Sequence, residues 1–260
     1  MSGEIKFEMQ GAIGVITIHN PGKRNALTVA MWTSLRDLVR RLDAERACRC
    51  LLLTGAGGAF AAGADISEFE QERSTRAQVT RYHEVHVGPA LEAILTCGIP
   101  TVAKIRDACM GGGLEIAALC DLRIASTDAK FGIPINRMGF PLAFGETELL
   151  FKLFGRGVLA ELVLEGRVFE AGEALQKGIV QRVVAPDALD QEASATAERI
   201  AGGSPLAHRS SKAQLLRLLR DWTPVSAEER GAFYDFAETQ DYKAGYEAFL
   251  KKQRAVFIGA

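Results

Sequence analysis

The chain has 260 residues, of which 48% are hydrophobic and 24% charged, and its formal net charge is −1. This composition is typical of a soluble globular protein that can bury a full core without disulfide bonds. The basic residues form no stripe or charged tail, which argues against nucleic acid or a membrane surface as the main partner.

The first third of the chain predicts strands that alternate with helices. Residues 5–10 and 14–20 alternate apolar and polar side chains on either side of Gly11, which predicts an antiparallel pair of short strands. An apolar run at 48–53 ends in glycines and predicts a strand buried on both faces, followed by a polar, helical stretch at 66–97. Between the strand pair and the apolar run, apolar residues recur at the spacing of an amphipathic helix: Leu27, Met31, Leu35, Leu38 and Leu42.

The remainder repeats this order. Residues 99–108 predict a buried strand, 109–113 a turn, 114–121 a short buried helix and 122–127 another strand. Residues 161–184 predict a helix followed by a strand, and helical periodicity dominates from residue 187 to the end. Strands interleaved with helices predict an α/β core with a helical C-terminal third. No low-complexity linker marks a second independent domain.

The cysteines and the N-terminus indicate the compartment. None of the five cysteines lies in a Cys-x-x-Cys motif and their neighbours are apolar, which indicates reduced, buried thiols. The N-terminus carries Glu4, Lys6 and Glu8 instead of the apolar core of a secretory signal, and no apolar run approaches the ~20 residues of a membrane span. We therefore expect a cytoplasmic protein.

Two glycine-rich stretches, 54–60 and 110–115, each follow a predicted buried strand. Neither has the lysine and Ser/Thr of a P-loop, and the glycines at 55–63 miss the spacing of a dinucleotide fingerprint. Small residues that run directly into a helix suit an oxyanion hole, in which two backbone N–H groups point at one oxygen. Structural alternatives stay open: the glycines permit close packing, Glu115 complements the helix dipole, and Asp65 caps the following helix.

Several segments, in this order and spacing, closely resemble the crotonase, or enoyl-CoA hydratase/isomerase, superfamily, and the resemblance covers nearly the whole chain. It implies a spiral of ββα repeats, here residues 1–198, with a helical C-terminal region, here residues 199–260, that mediates trimers, often paired into hexamers. It also implies an acyl-CoA thioester as the partner, with coenzyme A as part of the substrate and no tightly bound cofactor. The segments are NPGKRNALT (20–28), AFAAGADISEF (59–69), IPTVAKIRDACMGGGLEIAALCDLRIAS (99–126), KFGIPI (130–135) and GRVFEAGEALQKGIVQRVV (166–184).

The resemblance also implies roles for individual residues. The backbone N–H groups of Ala64 and Gly112 would hold the thioester carbonyl as it becomes an enolate, and Glu115 would be a catalytic carboxylate. The positions that match the family's CoA contacts are Arg24 and Ala26 in the turn after the first hairpin, Ala62, Asp65 and Ile66 along the pantetheine and adenine, and Phe249 and Lys252, which can reach CoA bound to a neighbouring subunit. Arg24 and Lys252 could equally be solvated surface charges.

One position departs from the family pattern. A hydratase of this family uses two glutamates around one water, and the second follows Phe-Gly-x-Pro directly. This chain has Ile135 there, and an isoleucine transfers no proton. The next segment, 138–150, is bulkier than usual and brings new carboxylates, of which Glu146 is a candidate for an auxiliary catalytic role.

Three functions stay open from the sequence. Hydration or double-bond isomerisation of an unsaturated acyl-CoA, running on Glu115 with help from Glu146, is the leading expectation. Decarboxylation of a malonyl-type CoA ester is the alternative, because loss of carbon dioxide generates the same enolate without a base. A non-catalytic CoA-binding or scaffold protein is the third.

The histidines suggest no further chemistry. His83 and His86 lie where the dehalogenase branch of the family has a catalytic histidine, but no aspartate near Ile135 could pair with either. We expect them to line the pocket or the surface. The histidine spacing matches no metal-ligand pattern, so no metal site is expected.

Overall fold

A computed structural model describes residues 3–260, so residues 1 and 2 of the predicted core lie outside the described residues. Within this range, six strands form a main sheet in the spatial order β1-β2-β3-β4-β6-β9, and three form a second sheet in the order β5-β7-β8. The strands are β1 (Glu4–Gln10), β2 (Ile13–His19), β3 (Cys50–Gly55), β4 (Thr101–Ile105), β5 (Ala108–Met110), β6 (Leu122–Ser126), β7 (Lys130–Gly132), β8 (Val168–Glu170) and β9 (Arg182–Val184).

The helices follow these strands in sequence and become continuous after β9. Two π-helical turns, Tyr82–Val87 and Glu161–Glu165, extend neighbouring α-helices. None of the helices within residues 3–260 has the length and apolar composition needed to cross a bilayer. The α-helices are α1 (Val29–Glu45), α2 (Phe69–Glu72), α3 (Arg76–Arg81), α4 (Gly88–Thr96), α5 (Gly112–Leu119), α6 (Phe144–Ala160), α7 (Ala171–Gln176), α8 (Leu189–Ala201), α9 (Pro205–Arg220), α10 (Ala227–Ala232) and α11 (Gln240–Leu250).

The pairing of the strands produces a repeated ββα unit. The hairpin β1–β2 is antiparallel, whereas β2, β3, β4, β6 and β9 run parallel. From β4 the chain passes into β5 of the second sheet and then into α5, and from β6 it passes into β7 and then α6. After β3, Ala61 bridges to Cys109 of β5 in the same way. The fold is the α/β spiral of ββα units that the sequence predicts, and its C-terminal region is helical.

Apolar side chains cover both faces of the main sheet. On one face, Trp32 and Leu35 of α1 are buried in the larger core cluster. This helix begins where the Thr28 side chain accepts a hydrogen bond from the Met31 N–H (3.2 Å), a typical N-cap. On the other face, α8 packs against β3, β4 and β6. Helices on both faces explain why the central strands are apolar throughout.

Three details differ from the sequence expectation. The predicted strand at 99–108 and turn at 109–113 are instead two strands, β4 and β5, and a turn at Gly111, because Cys109 and Met110 belong to β5 and Gly112 and Gly113 to α5. The predicted helical stretch at 66–97 is interrupted near Arg73. The strand β8 was not predicted, because three residues are too few to show an alternating pattern.

Gly113 provides a test of the packing between α5 and the second sheet. A Cβ on Gly113 would lie 2.5 Å from the Ala61 carbonyl oxygen, which is backbone and cannot move freely. Gly113→Ala should therefore destabilise the fold by about 1–3 kcal/mol, lowering Tm by roughly 2–4 °C per kcal/mol. Gly157→Ala is the matched control, because Gly157 is an exposed residue of α6 with nothing within 4 Å of its Cβ position. This variant should be more stable by about 0.5–1 kcal/mol. Equal Tm values for the two variants would contradict the packing argument.

Candidate active site

The site is built on the contact between two backbone turns, at Gly63 and at Gly111. A Cβ on Gly63 would lie 3.2 Å from the Met110 carbonyl oxygen and 3.8 Å from the Gly111 Cα. Both glycines have positive φ, +100° at Gly63 and +48° at Gly111, which a side chain would strain. The two turns can therefore approach this closely only because both residues are glycines. The residues that follow them, Ala64 and Gly112, both line one cavity.

Both of these residues offer a free backbone N–H. Leu27 donates to the Gly63 carbonyl (2.7 Å) and accepts from the Asp65 N–H (2.8 Å), so the bridge holds the residues on either side of Ala64. Gly112 is the first residue of α5, whose first N–H groups have no intrahelical partner. Within residues 3–260, neither the Ala64 nor the Gly112 N–H donates to a protein acceptor. Two free backbone donors along one cavity, one of them at the positive end of a helix, are the arrangement that the predicted oxyanion hole requires.

The three consecutive glycines of 111–113 have three separate physical causes. Gly111 adopts φ +48° and ψ −122°. A Cβ on Gly112 would lie 2.7 Å from Cζ2 of Trp32, and Gly113 lies against Ala61 as described above. The contacts of Gly112 and Gly113 support the packing explanation, and close packing also leaves the Gly112 N–H facing the cavity, so the oxyanion role stays a prediction.

The cavity has a volume of about 480 Å³ and collects most of the residues predicted from the sequence. Besides the oxyanion donors, the predicted residues Arg24, Ala62, Ile66, Glu115 and Glu146 line it, as does Ile135. Its other walls are mainly apolar and aromatic. They include Trp32, Phe69, Tyr82, Val87, Met110, Pro134, Met138, Phe140, Pro141 and Leu142.

Glu115 is a buried carboxyl group in this wall, 6% exposed. Burial raises its pKa well above the ordinary value of 4.5, and the nearby charge of Glu146 raises it further, while Arg73 opposes the shift. A raised pKa favours the protonated form, and a protonated carboxyl group can act as a general acid. This placement goes beyond a complement to the helix dipole.

Glu146 lies in the same cavity and forms a close pair with His83. Its Oε1 is 2.6 Å from the His83 Nδ1, and Glu146 is 4% exposed. Both residues also line a second cavity, of about 410 Å³, on the other side of the pair. His83 is thus a pocket-lining residue, as expected. His86 lies outside this cavity and is held against α1 through Thr33 Oγ1 (3.2 Å).

Asp65 and Ala26 are close to the site but serve the turns that frame it. Asp65 is buried, and burial opposes its ionisation, but hydrogen bonds from Lys23 and Ser67 outweigh this and lower its pKa. It accepts from Lys23 Nζ (2.7 Å) and caps the following turn through the Ser67 N–H (3.1 Å). Ala26 is buried, and its carbonyl accepts from Asn20 Nδ2 (2.7 Å). Neither residue lines the cavity, so their predicted contacts with CoA stay predictions.

Three other predicted residues differ in their surroundings. Arg24 lines the cavity and pairs with Asp107, so it is more than a free surface charge. Phe249 and Lys252, at the end of α11, lie outside the cavity of their own chain, and Phe249 is 82% exposed. This position leaves them available to a neighbouring copy, and their contact with CoA stays a prediction.

Sequence reasoning missed an arginine surrounded by aromatic rings. The Arg73 Cζ lies 4.3, 4.7 and 4.6 Å from the ring centroids of Phe69, Tyr82 and Phe140. The Tyr82 hydroxyl in turn accepts from the Trp32 indole N–H (3.2 Å). Phe69 and Arg73 are four residues apart, as the first residue and the C-cap of α2, but no one-dimensional pattern links them to Tyr82 and Phe140. Within residues 3–260, no cluster of three or more His, Cys, Asp or Glu side chains is placed to hold a metal ion.

Comparison with known proteins identifies the family. The family model described as Enoyl-CoA hydratase/isomerase matches residues 8–260. The chain belongs to this family. A probable enoyl-CoA hydratase of Rhizobium meliloti (strain 1021) is 36% identical over 251 residues, covering 96% of each chain. A crotonyl-CoA hydratase of Syntrophomonas wolfei is 34% identical over 256 residues, covering 98% of this chain and 97% of the relative.

Solved structures agree with this assignment. A crystal structure of an enoyl-CoA hydratase/carnithine racemase from Magnetospirillum magneticum has a TM-score of 0.95 to this chain and is 40% identical, covering 98% of this chain and 96% of that one. The protein is thus an enzyme of the lyase or isomerase type within the enoyl-CoA hydratase/isomerase family. In this member, Ile135 lines the cavity at the position where the resemblance predicts a second glutamate.

The buried carboxyl of Glu115 predicts a trade between stability and function. Its pKa is higher in the fold than in the unfolded chain, so the unfolded state releases the proton first and stability falls as the pH rises above 4.5. Glu115→Gln should therefore raise Tm at pH 8, by about 2–4 °C for each kcal/mol gained in the free energy of unfolding. Below pH 4.5 it should leave Tm nearly unchanged. Thermal melts of both proteins across this range measure the difference. A lower Tm for the variant at pH 8 would show that the carboxylate stabilises the fold.

Proposed function

We propose that this enzyme binds an α,β-unsaturated acyl-CoA thioester and adds water across its double bond. The observation that supports this best is the convergence of the free N–H groups of Ala64 and Gly112 with the buried Glu115 in one cavity. The N–H pair would hold the thioester oxygen as negative charge develops on it, which is the largest single effect in such reactions. The hydratase names of the relatives support the same substrate class.

The acid and the base are assigned from their surroundings. Glu115, whose raised pKa favours its protonated form, would deliver a proton to C2 of the enolate. The Glu146–His83 pair would take the proton from the attacking water, which then bonds to C3. This pair replaces the missing second glutamate from a different segment, and the second cavity beside it gives it a route for proton exchange with solvent.

The opposite end of the cavity would take the coenzyme A portion. Arg24, Ala62 and Ile66 line the cavity and would contact this portion, and the nearby Lys23 carries a half-exposed ammonium. Positive side chains at an open edge suit the phosphates of CoA. Coenzyme A would thus enter as part of the substrate, and the proposal requires no separate, tightly bound cofactor.

Decarboxylation of a malonyl-type CoA ester is the second candidate. Ile135, which lines the cavity in place of a proton-transferring side chain, favours it, because loss of carbon dioxide needs the oxyanion hole but no base. Double-bond isomerisation needs only Glu115 to move one proton between carbons. The two carboxyl groups that remain in the cavity, Glu115 and Glu146, favour hydration over decarboxylation and over isomerisation.

We further propose that the C-terminal region assembles the enzyme into trimers or dimers of trimers. Within residues 199–260, Asp241 alone is a fully buried side chain, whereas large apolar side chains are exposed along α9 to α11 and beyond. Such an apolar surface is typical of a protein interface. The exposed groups are Leu215, Leu218, Trp222, Tyr234, Phe236, Tyr242, Tyr246, Phe249, Leu250, Val256 and Ile258. All five cysteines are free and buried, which supports a reducing, cytoplasmic location.

A panel of CoA thioesters followed by mass spectrometry tests the reaction. We expect crotonyl-CoA and related short unsaturated thioesters to gain the mass of one water. Glu115→Gln should lower kcat by at least ~10²-fold, the scale of lost general acid–base help. Gly112→Pro should abolish turnover because it removes a donor. Gly112→Ala keeps the N–H but meets Trp32 equally, and therefore controls for packing.

Other outcomes of this panel contradict the proposal. Loss of the mass of carbon dioxide from a malonyl-type ester, without hydration of any enoyl thioester, would establish decarboxylation. A shifted double bond at constant mass would establish isomerisation. Binding without conversion across the panel would establish a scaffold. Equal turnover by Gly112→Pro and Gly112→Ala would contradict the oxyanion assignment.

The pH profile tests the role of Glu146. As a general acid, Glu115 must be protonated, so kcat/KM should fall as the pH rises through its pKa. Glu146→Gln removes a negative neighbour and should move this basic limb to lower pH, besides lowering kcat by roughly 10²-fold. Glu148→Gln, in an exposed pair with Lys152, is the matched control and should leave the profile unchanged. A Glu146→Gln enzyme with the wild-type profile would remove Glu146 from the mechanism.

A further inference from the structure

Arg73 is a cation in the substrate cavity whose charge the protein itself does not pair. Its guanidinium lies over the rings of Phe69, Tyr82 and Phe140, and the side chain is partly buried. Within residues 3–260, the guanidinium forms no ion pair and donates no hydrogen bond, whereas the backbone N–H of Arg73 donates to the Phe69 carbonyl (2.8 Å). A cation removed from water in this way is costly unless an anion or hydrogen-bond acceptor meets it.

The other two arginines of the cavity are already engaged. Arg24 pairs with Asp107, and Arg137 donates to the Gly166 carbonyl (3.0 Å). The two carboxyl groups of the cavity do not satisfy Arg73 either. Glu146 is held by His83, and within residues 3–260 no hydrogen bond or ion pair joins the Arg73 guanidinium to Glu115. Arg73 is therefore left with its donors free.

Arg73 lines the same cavity as Glu115, and its guanidinium lies over the ring of Tyr82, another residue of that cavity. The proposed function places the reacting carbons beside Glu115. The CoA phosphates would lie at the opposite end, near Arg24. The aromatic rings hold the guanidinium plane by stacking, so its fork of N–H donors is oriented in advance for a planar anion.

We propose that Arg73 recognises a carboxylate on the acyl group, so that the substrate is a short acyl-CoA with a second, free carboxylate at its far end. This inference rests on the proposed function, because it assumes that the cavity holds an acyl-CoA. Arg73 would form charge-assisted, bidentate hydrogen bonds with the carboxylate, which discriminate strongly against an acyl group that ends in a methyl.

A matched pair of saturated thioesters tests this without turnover. Succinyl-CoA and butyryl-CoA have the same acyl chain length and differ in a terminal carboxylate against a methyl. We expect calorimetry to show at least roughly tenfold tighter binding of succinyl-CoA, the scale of a charge-assisted hydrogen bond. Arg73→Gln should remove this preference by weakening succinyl-CoA alone. Arg76→Gln, an exposed arginine three residues away, should retain it.

Two outcomes would overturn the inference. Wild-type enzyme that binds butyryl-CoA as tightly as succinyl-CoA has no carboxylate subsite, and this result does not depend on any variant folding. A loss of affinity by Arg73→Gln that is equal for CoA, butyryl-CoA and succinyl-CoA would place Arg73 on the phosphates. If no CoA thioester binds at all, the proposed function itself fails. If neutral thioesters bind and react while succinyl-CoA gains nothing, only the inference fails.

Discussion

The contact between the turns at Gly63 and Gly111 fixes the rest of the site, because each turn delivers the N–H of its next residue to one cavity. The contact is made of backbone and tolerates no side chain on either glycine. Two isolated β-bridges hold the contact in place: Leu27 pairs with Ala64, and Ala61 pairs with Cys109. The ββα spiral is what brings these distant segments together, since it places successive strand ends at one edge.

The electrostatics of the cavity follow from the same closeness. Glu115 lies in the first turn of α5, whose free N–H groups favour negative charge. Burial and the charge of Glu146 nevertheless oppose its ionisation more strongly. The result is a carboxyl group whose pKa is raised although it lies beside the positive end of a helix. The fold carries this buried group at a cost to its stability, which is expected of a functional site and not of a structural one.

The parts of the structure that depend on local pattern could be predicted from the sequence. The hairpin β1–β2 and the helix α1 show clear periods of two and of 3.6 residues, and the motif around Gly112 indicates the oxyanion hole. The pairing of His83 with Glu146 could not be predicted, because these residues are 63 positions apart in the sequence and meet only in the fold. Of the rings around Arg73, only Phe69 lies at a helical spacing of four residues, and the contacts with Tyr82 and Phe140 form only in the fold. The three residues of β8 are too few to show a pattern.

Ile135 and Arg73 both affect the charge balance of the cavity. A second glutamate at position 135 would place an additional anion among the residues that line the cavity with Arg73; isoleucine removes that anion and leaves the cation unmatched. A substrate carboxylate restores the balance. The same argument weighs against decarboxylation, because a guanidinium that binds the carboxylate stabilises the ground state and opposes the loss of carbon dioxide. Arg73 therefore fits an anion that is recognised and retained, while the chemistry takes place at the double bond beside Glu115.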